Sequence, residues 1–301
     1  MRRLLYYPGC TLKTSATNFE ASALASAKAL GLELVELPRW NCCGAVYSLA
    51  TDDLMRHTAP LRVLVRAQEA YKEGLADEPR LVTLCAMCYN TLKRENSSVR
   101  EDPERLRKLN EFMDREKDYE GGVEVVHLLD VLRGLGMEKI SGHVVRPLEG
   151  LKVAPYYGCL LLRPRGVGVD DPDRPTVMEG VLEALGAEVV DIPYKGRCCG
   201  AYHSFLREDV VAELCHRILK QAADMGADVV ALSCPLCEYN LGRQELIERR
   251  YRDFRRIPVV YFTQLMALAF GLDEHCGFEE NRVDPRPLLS EKKLYRRGGG
   301  E

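Results

Sequence analysis

The stretch WNCCGAVYS, residues 40–48, places two cysteines side by side, and RCCGAYHS, residues 197–204, repeats the arrangement. Adjacent side chains point in divergent directions, so such a pair is poorly placed to serve one small metal ion. Each pair is followed by Gly-Ala and, within two residues, by a tyrosine. The recurrence of this uncommon pair with the same neighbours predicts that one structural unit is present twice.

The remaining cysteines of the two halves repeat in the same order. The first half reads C-x31-CC-x41-CxxC and the second reads C-x38-CC-x34-CxxC. This self-similarity indicates an internal duplication. The first set of cysteines is Cys10, Cys42, Cys43, Cys85 and Cys88, and the second set is Cys159, Cys198, Cys199, Cys234 and Cys237.

Strand-like and helical patterns alternate in both halves. Short apolar runs, RRLLYY and LKVAPYY, precede the first cysteine of each set, and the helical stretches that follow end at Gly31 and Gly186. A second helix is predicted near residues 54–73 and 207–225. The pattern predicts an α/β fold with two pseudo-symmetric duplicated halves, each a small parallel sheet covered by helices. The predicted boundaries are residues 1–145 and 150–272, followed by a C-terminal tail at 273–301.

Every cysteine segment of a set follows a predicted strand. The carboxyl ends of parallel strands lie along one edge of the sheet, which is where open α/β sheets build their sites. Five cysteines in each half are therefore expected to converge, and a cluster is predicted at the strand carboxyl ends.

The composition of the 301-residue chain excludes several functional classes. The net charge is −3 and the isoelectric point is about 6.1, so no nucleic-acid partner is indicated. No apolar run approaches the roughly 20 residues that cross a bilayer, so no transmembrane segment is predicted. The 12 cysteines accompany ample core material and no export signal. We therefore expect a cytoplasmic protein whose cysteines bind metal or perform redox chemistry rather than form disulfides.

The number of converging cysteines restricts the metal. Structural zinc takes four tetrahedral ligands, and a cubane iron–sulfur cluster takes four thiolates. Five cysteines that include an adjacent pair exceed both, and they suit a more open multi-iron cluster in which neighbouring thiolates reach different irons. Each CxxC also opens a predicted helix, whose positive end favours thiolates. Structural zinc and disulfides remain the alternatives at this point.

In these motifs the chain resembles the cysteine-rich CCG domain family, which includes the B-type subunit of heterodisulfide reductase. The resemblance covers both halves, about residues 1–270, with ten cysteines in register. It implies that each set binds a non-cubane [4Fe-4S] cluster and that the two clusters face a cavity in which a disulfide is reduced.

The resemblance also implies that the chain is the catalytic part of a larger heterodisulfide reductase-like complex. Its electrons would come from an iron–sulfur protein similar to the C-type subunit of that family. Through this partner they would come from a flavin-containing protein similar to the A-type subunit.

Two clusters suit the chemistry of a disulfide. Reduction of a disulfide to two thiols takes two electrons, and an iron–sulfur cluster delivers one at a time. Two other functions stay open. The chain is alternatively an electron-transfer iron–sulfur subunit of a quinone-linked or other dehydrogenase, or a zinc-binding assembly protein.

The sequence departs from the family pattern in two places. The gap of 41 residues in the first half exceeds the usual spacing. Leu160 also follows Cys159 where the family often has histidine, which puts the substrate and the direction of the reaction in question. His203 is a candidate proton donor, because imidazole titrates near neutral pH, although a surface role is the alternative.

Several other residues are candidates for the site. In the loop 163–175, Arg163 and Arg165 are placed to meet a carboxylate or phosphate, and an ordinary polar surface loop is an equal alternative. Cys215 and Cys276 fall outside the repeat and are predicted not to bind metal. His127 is predicted to be structural.

Overall fold

The structure is a computed structural model, and it describes residues 1–45 and 54–295. Within them, strands and helices alternate along both halves as predicted. The strands of the first half are β1 (Arg2–Tyr7), β2 (Leu32–Glu36), β3 (Arg80–Thr83) and β4 (Glu124–His127). Those of the second are β5 (Lys152–Tyr156), β6 (Glu188–Val189), β7 (Val229–Leu232) and β8 (Val259–Tyr261).

Each half contains one four-stranded parallel sheet. The strand orders are β2-β1-β3-β4 and β6-β5-β7-β8, so the two sheets have the same topology. Leu5 pairs with Leu81 in the first sheet, and Val153 pairs with Val229 in the second. All four of these side chains are fully buried, as expected for central strands of a sheet that helices cover on both faces. The predicted α/β fold with duplicated halves is confirmed.

Helices form the connections between the strands. In the first half they are α1 (Gly9–Leu12), α2 (Thr17–Ala29), α3 (Met55–Lys72), α4 (Ala86–Glu101), α5 (Pro103–Phe112), α6 (Leu128–Leu135) and α7 (Met137–Ser141). In the second half and beyond they are α8 (Val177–Ala184), α9 (Glu208–Asp224), α10 (Pro235–Gly242), α11 (Glu245–Glu248), α12 (Phe262–Ala269) and α13 (Arg286–Glu291). In the described part of the chain, no helix has both the length and the apolar character that crossing a membrane requires.

Glycines end the first long helix of each half, as predicted. Gly31 and Gly186 have φ values of +81° and +85°, which a residue with a side chain rarely adopts. The amide of Gly31 donates to the carbonyl of Lys28, and that of Gly186 donates to Glu183. These bonds close each helix and direct the chain into the second strand of its sheet.

The two halves exchange the helices that follow their last strands. Helix α12 of the second half packs along α2 of the first, and α6 of the first half packs against α8 of the second. At the larger contact, the rings of Phe19 and Tyr261 stack with centroids 4.2 Å apart. The hydroxyls of Ser22 and Thr263 are 2.7 Å apart in the same contact. The pseudo-symmetric halves therefore form one continuous core rather than two independent ones.

Residues 273–295, which belong to the predicted C-terminal tail, lie against both halves. Cys276, Phe278 and Leu289 are buried. The side chain of Asn18 donates to the carbonyl of Gly277, and Arg146 forms a salt bridge of 2.6 Å with Asp273. This segment consequently covers the α2–α12 contact.

Replacing Phe19 by alanine tests the importance of the α2–α12 contact. Phe19 is fully buried, so Phe19→Ala is expected to lower the free energy of unfolding by about 3–5 kcal/mol. Urea unfolding followed by circular dichroism measures the change. Phe112→Ala is the matched control, because this phenylalanine is 45% exposed and its loss should have little effect. Equal destabilisation by both variants would show that the α2–α12 contact contributes no more to stability than an exposed phenylalanine does.

Candidate metal centre

The cysteines of the first set lie at the carboxyl ends of three neighbouring strands. Cys10 follows β1, Cys42 and Cys43 follow β2, and Cys85 and Cys88 follow β3. All are free thiols. Thiol–thiol contacts run from Cys10 to Cys42, from there to Cys43, then to Cys88 and finally to Cys85. The structure therefore brings the five predicted residues together in one row.

The second set repeats this row in the same order. Contacts link Cys159 to Cys198, then to Cys199, Cys237 and Cys234. The sulfurs of Cys199 and Cys237 are 3.5 Å apart. Among the described residues, no group of three or more His, Cys, Asp or Glu side chains is arranged to hold a single metal ion.

The two sets meet at the first cysteine of each CxxC motif. The thiol of Cys85 donates a hydrogen bond to the sulfur of Cys234. Beside them, the amide of Ala86 donates to the carbonyl of Ser233 over 3.3 Å. Ten sulfurs thus form one continuous array across the boundary between the halves.

A glycine after each cysteine pair turns backbone amides toward the first cysteine of that pair. Gly44 and Gly200 have φ values of +77° and +86°, a conformation that favours glycine. The amide of Gly200 lies 3.2 Å from the sulfur of Cys198, and the following amide also donates to this sulfur. The amides of Gly44 and Ala45 donate to Cys42 in the same way. The repeated Gly-Ala therefore forms a small anion-binding turn for sulfur.

These turns favour a thiolate at one position in each set. Hydrogen bonds from the Cys10 and Cys43 thiols, with the backbone amides, lower the pKa of Cys42 to about 2. Hydrogen bonds from Cys159 and Cys199 likewise lower the pKa of Cys198 to about 2. Each lowered pKa means that the negative charge is concentrated on the first cysteine of the adjacent pair.

The second cysteine of each pair is buried beneath the first. Its hydrogen bond to the neighbouring thiolate raises the pKa to about 12 at both Cys43 and Cys199. The hydroxyl of Thr91 donates to Cys43, and the amide of Asn240 lies 3.6 Å from the Cys199 sulfur. Thr91 and Asn240 occupy equivalent positions, three residues after the last cysteine of their motifs. Each set therefore has one polar side chain beneath its buried sulfur.

The glycine before the first cysteine leaves room for sulfur. Gly9 and Gly158 have φ values of +69° and +68°. A Cβ at Gly9 would lie 3.0 Å from the sulfur of Cys88, and one at Gly158 would lie 3.3 Å from that of Cys237. Both contacts are tighter than van der Waals separation allows without movement. The Gly-Cys sequence in both halves is thus required by close packing against the CxxC motif.

A buried tyrosine anchors the chain before each adjacent pair, a role that the sequence patterns did not predict. The hydroxyl of Tyr7 donates to the carbonyl of Asn41 over 2.8 Å, and that of Tyr156 donates to Arg197 over 2.7 Å. Asn41 and Arg197 immediately precede the pairs. The detectable signal was a tyrosine three residues before the first cysteine in both halves.

Each CxxC motif opens a helix, as predicted. Cys85 is the N-cap residue of α4, and Cys234 is the N-cap residue of α10. Hydrogen bonds from Cys237 and Cys85, together with backbone amides at the start of α10, hold the pKa of Cys234 well below its usual range. The helix termini therefore supply positive charge where the two sets meet.

A small pocket of about 20 Å³ lies among the sulfurs of the second set. It is lined by Ala86, Met87, Tyr157, Cys159, Leu160, Cys198, Cys199, Ala201, Tyr202, Cys234, Leu236 and Cys237. Residues of both halves contribute, and the lining is largely apolar apart from the sulfurs. Leu160 lies in this pocket, whereas the candidate donor His203 is exposed and is absent from its described lining. Tyr202, which was not predicted as a site residue, contributes its ring instead.

The loop 163–175 contacts the first half. The side-chain amide of Asn90 donates to the carbonyls of Leu160 and Arg163, and the hydroxyl of Tyr89 donates to that of Val167. Arg165 forms a 2.6 Å salt bridge with Asp173 inside the loop. The loop thus joins the halves near the pocket.

The remaining candidates have ordinary structural surroundings. Cys215 is buried and its thiol points to the carbonyl of Cys199, 3.5 Å away. The thiol of Cys276 points to the carbonyl of Gln264, 3.6 Å away. His127 caps α6, contacts the carbonyl of Leu84 over 2.7 Å, and has its pKa lowered to about 4 by burial.

Alkylation of the metal-free protein tests the charge distribution. Because the pKa of Cys42 is lowered, its thiolate persists as pH falls until the pH approaches that value. Its reaction with iodoacetamide should therefore vary little between about pH 5 and pH 8, whereas an ordinary thiol reacts about tenfold faster per pH unit. Mass spectrometry of digested peptides measures the rates. Buried Cys276 should stay unlabelled in the folded protein, and a tenfold slope at Cys42 would contradict the prediction.

Comparison with known proteins agrees with the duplication of the chain. The profile of the cysteine-rich domain family named CCG matches residues 4–93 and 153–242, once in each half. The 8-methylmenaquinol:fumarate reductase membrane anchor subunit of Wolinella succinogenes is 32% identical over 95% of this chain and 99% of its own length. The B-type subunit of the ferredoxin/F(420)H(2)-dependent CoB-CoM heterodisulfide reductase of Methanosarcina acetivorans is 28% identical over 100% of this chain and 99% of its own.

Two further likenesses extend the comparison. An Archaeoglobus profundus protein, named for its similarity to the B-type subunit of heterodisulfide reductase, is 30% identical over 88% of this chain and 89% of its own length. A hypothetical protein from Helicobacter pylori has a TM-score of 0.73 at 13% identity over 94% of this chain, a likeness that shows the fold alone. This chain spans 52% of that structure's length. The two matched five-cysteine sets and these full-length relatives show that the chain belongs to the CCG cysteine-rich domain family, among relatives of the B-type subunit of heterodisulfide reductase.

Proposed function

We propose that this chain is the catalytic iron–sulfur subunit of a heterodisulfide reductase-like complex and converts a disulfide into two thiols, or the reverse. Each five-cysteine set would hold one non-cubane [4Fe-4S] cluster. The observation that carries the proposal is the matched pair of sulfur rows that meet at Cys85 and Cys234, beside a pocket shared by the halves.

The chemistry of the two sets fits an iron–sulfur group. All ten cysteines are free, and soft thiolates are the ligands that such clusters use. Backbone amides face Cys42 and Cys198, and hydrogen bonds to cluster sulfurs are one means by which proteins set the potential. Gly9 and Gly158 provide space that a side chain would fill. The same features appear twice, which supports one group per half.

The residues of this chain have separable roles in the proposed reaction. The bound clusters would supply one-electron transfer, so two of them match the two electrons that a disulfide takes up. The second cluster would lie in the space that its five cysteines line, and the apolar residues there, Leu160 and Leu236, would exclude water from the separating sulfurs. Cys85 and Cys234, which join the two rows, would bring the two electron sources close to one substrate.

Electrons must come from a partner in this proposal. Beyond the two sets, the chain has only Cys215 and Cys276, so it has no ferredoxin-type cysteine motif. We assign the supply to an iron–sulfur protein similar to the C-type subunit of heterodisulfide reductase and, through it, to a flavin-containing protein similar to the A-type subunit, in the cytoplasm. Phe205 and Leu206 are 85% and 88% exposed beside the second set, and exposed apolar residues of this kind suit a protein interface.

Metal analysis tests the cofactor assignment. Protein reconstituted without oxygen should hold about eight irons and as many acid-labile sulfides per chain, and Cys88→Ser should reduce both to about half. Cys215→Ser is the matched control, since this cysteine is buried and free but belongs to neither set, and it should keep the full content. About two zinc ions per chain would instead support the zinc-binding alternative.

A second function has a specific observation in its favour. The Wolinella succinogenes relative is named as a subunit of a quinol:fumarate reductase, and Leu160 occupies the pocket where the family often has histidine. The chain would then be an electron-transfer iron–sulfur subunit of a quinone-linked dehydrogenase.

The two functions predict different activities for the purified complex. Disulfide reduction with a reduced viologen as electron donor, measured as free thiols formed, is expected for the first. The same preparation should form no thiol when the disulfide is omitted. Quinol-linked turnover in the absence of any disulfide reduction would reject the first function and favour the second.

A further inference from the structure

We propose that the positive charge of Arg243 raises the reduction potential of the iron–sulfur group held by the second set. It does so by stabilising the reduced form of that group. This inference rests on the cofactor assignment of the proposed function. It gives a role in the redox step to a residue that belongs to neither five-cysteine set.

Arg243 lies at the carboxyl end of the helix that begins at the second CxxC motif. Helix α10 starts after Cys234, and Cys237, Asn240 and Arg243 follow at intervals of three residues. Residues three apart are neighbours on a helix surface. The amide of Asn240 lies 3.6 Å from the sulfur of Cys199, so this side of the helix faces the second set. Arg243 is about 9 Å from Cys237 along the helix axis.

The guanidinium of Arg243 is largely removed from water. Its side chain is 11% exposed, and Nη1 forms a salt bridge of 3.1 Å with the carboxylate of Glu208. Glu208 is 58% exposed, so water screens its negative charge. Nε and Nη2 of Arg243 are buried, and neither has a hydrogen-bond partner in the described part of the chain. A guanidinium stays charged in proteins, so the buried end of Arg243 carries a positive charge that is only partly compensated.

This charge acts on the buried side of the second set. The thiol of Cys215 points to the carbonyl of Cys199, 3.5 Å away. Burial raises the pKa of Cys215, and the positive charge of Arg243 acts in the opposite direction. A cation that stabilises negative charge at Cys215 also stabilises it on a group bound to the neighbouring Cys199.

The first half has an arginine at the equivalent position. Arg94 lies three residues after Thr91, as Arg243 lies three residues after Asn240. Thr91 donates to the buried Cys43, and Asn240 has the matching place in the second set. The duplication therefore keeps a cation beside the polar side chain that contacts each buried sulfur.

The redox step is a one-electron reduction. The second group accepts one electron from an external donor, and its net charge becomes more negative by one. Coulomb energy is proportional to charge, so a nearby cation stabilises the reduced form more than the oxidised form. One partly screened charge at roughly 10 Å changes the ratio of the two forms by about tenfold.

Arg243→Met tests the proposal, because it removes the charge and keeps an unbranched side chain. The variant is combined with Cys88→Ser, so that the second set is the remaining iron–sulfur site. Reconstituted protein is titrated with dithionite without oxygen and followed by electron paramagnetic resonance. At a fixed potential the ratio of reduced to oxidised group should fall about tenfold, which is a midpoint lower by about 59 mV for one electron. Arg243→Lys keeps the charge and should keep the parent midpoint.

Arg217→Met is the matched control. Arg217 and Cys198 line the same pocket, but the arginine is 59% exposed, so water screens its charge. Its loss should leave the midpoint unchanged. An unchanged midpoint in Arg243→Met would overturn the proposal. A shift of the same size in Arg243→Lys or in Arg217→Met would also overturn it, because the buried charge would then not be the cause.

A second neutral variant, Arg243→Gln, guards against a folding defect. It should lower the midpoint as Arg243→Met does. Loss of iron from both neutral variants would assign Arg243 to folding and would overturn the proposal. If the wild-type protein binds zinc instead of iron, the cofactor assignment itself fails. Metal analysis of the wild-type protein distinguishes that result from an iron-containing protein whose midpoint does not depend on Arg243.

Discussion

Ten cysteine sulfurs lie together at the carboxyl ends of the strands of two parallel sheets. The glycines and backbone amides around them make room for these sulfurs and donate hydrogen bonds to them. Buried thiolates are stable only where donors compensate for the loss of water. The protein supplies these donors from the backbone, at the Gly-Ala turns after each pair and at the starts of α4 and α10. A parallel sheet suits this purpose, because its strand ends and helix N-termini lie at the same edge.

The two halves are most similar around the cysteine sulfurs and less similar away from them. Both halves keep the glycine before the first cysteine, the glycine after the pair and the tyrosine that anchors the chain. Away from the sulfurs the halves differ. Buried Glu95 pairs with His57 over 2.6 Å, whereas Gln244, at the equivalent position, bonds the backbone of Ile257. The fold therefore accepts an amide side chain there, and the Glu95–His57 pair is specific to the first half.

The exchange of helices between the halves has a chemical consequence. If each half buried its last helix against itself, the two cysteine sets could separate as independent domains. Packing of α12 on α2 and of α6 on α8 holds the halves in one core. The contact of Cys85 with Cys234, and the pocket that both halves line, follow from this fixed relationship. In the proposed reaction, two electron sources can then act on one bound molecule.

Periodic patterns and cysteine spacing are local properties, so the amino-acid sequence was enough to predict the duplication, the α/β class and the membership of each five-cysteine set. It also identified the helices that begin at the CxxC motifs. Which side chains share a space became visible only in the folded chain. The packing of distant segments decides the contact of Cys85 with Cys234 and the anchoring by Tyr7 and Tyr156. It also decides that His203 is exposed beside a pocket that Tyr202 lines. Adjacent positions such as 202 and 203 point in different directions, and no local pattern in the chain specifies which of the two faces the sulfurs.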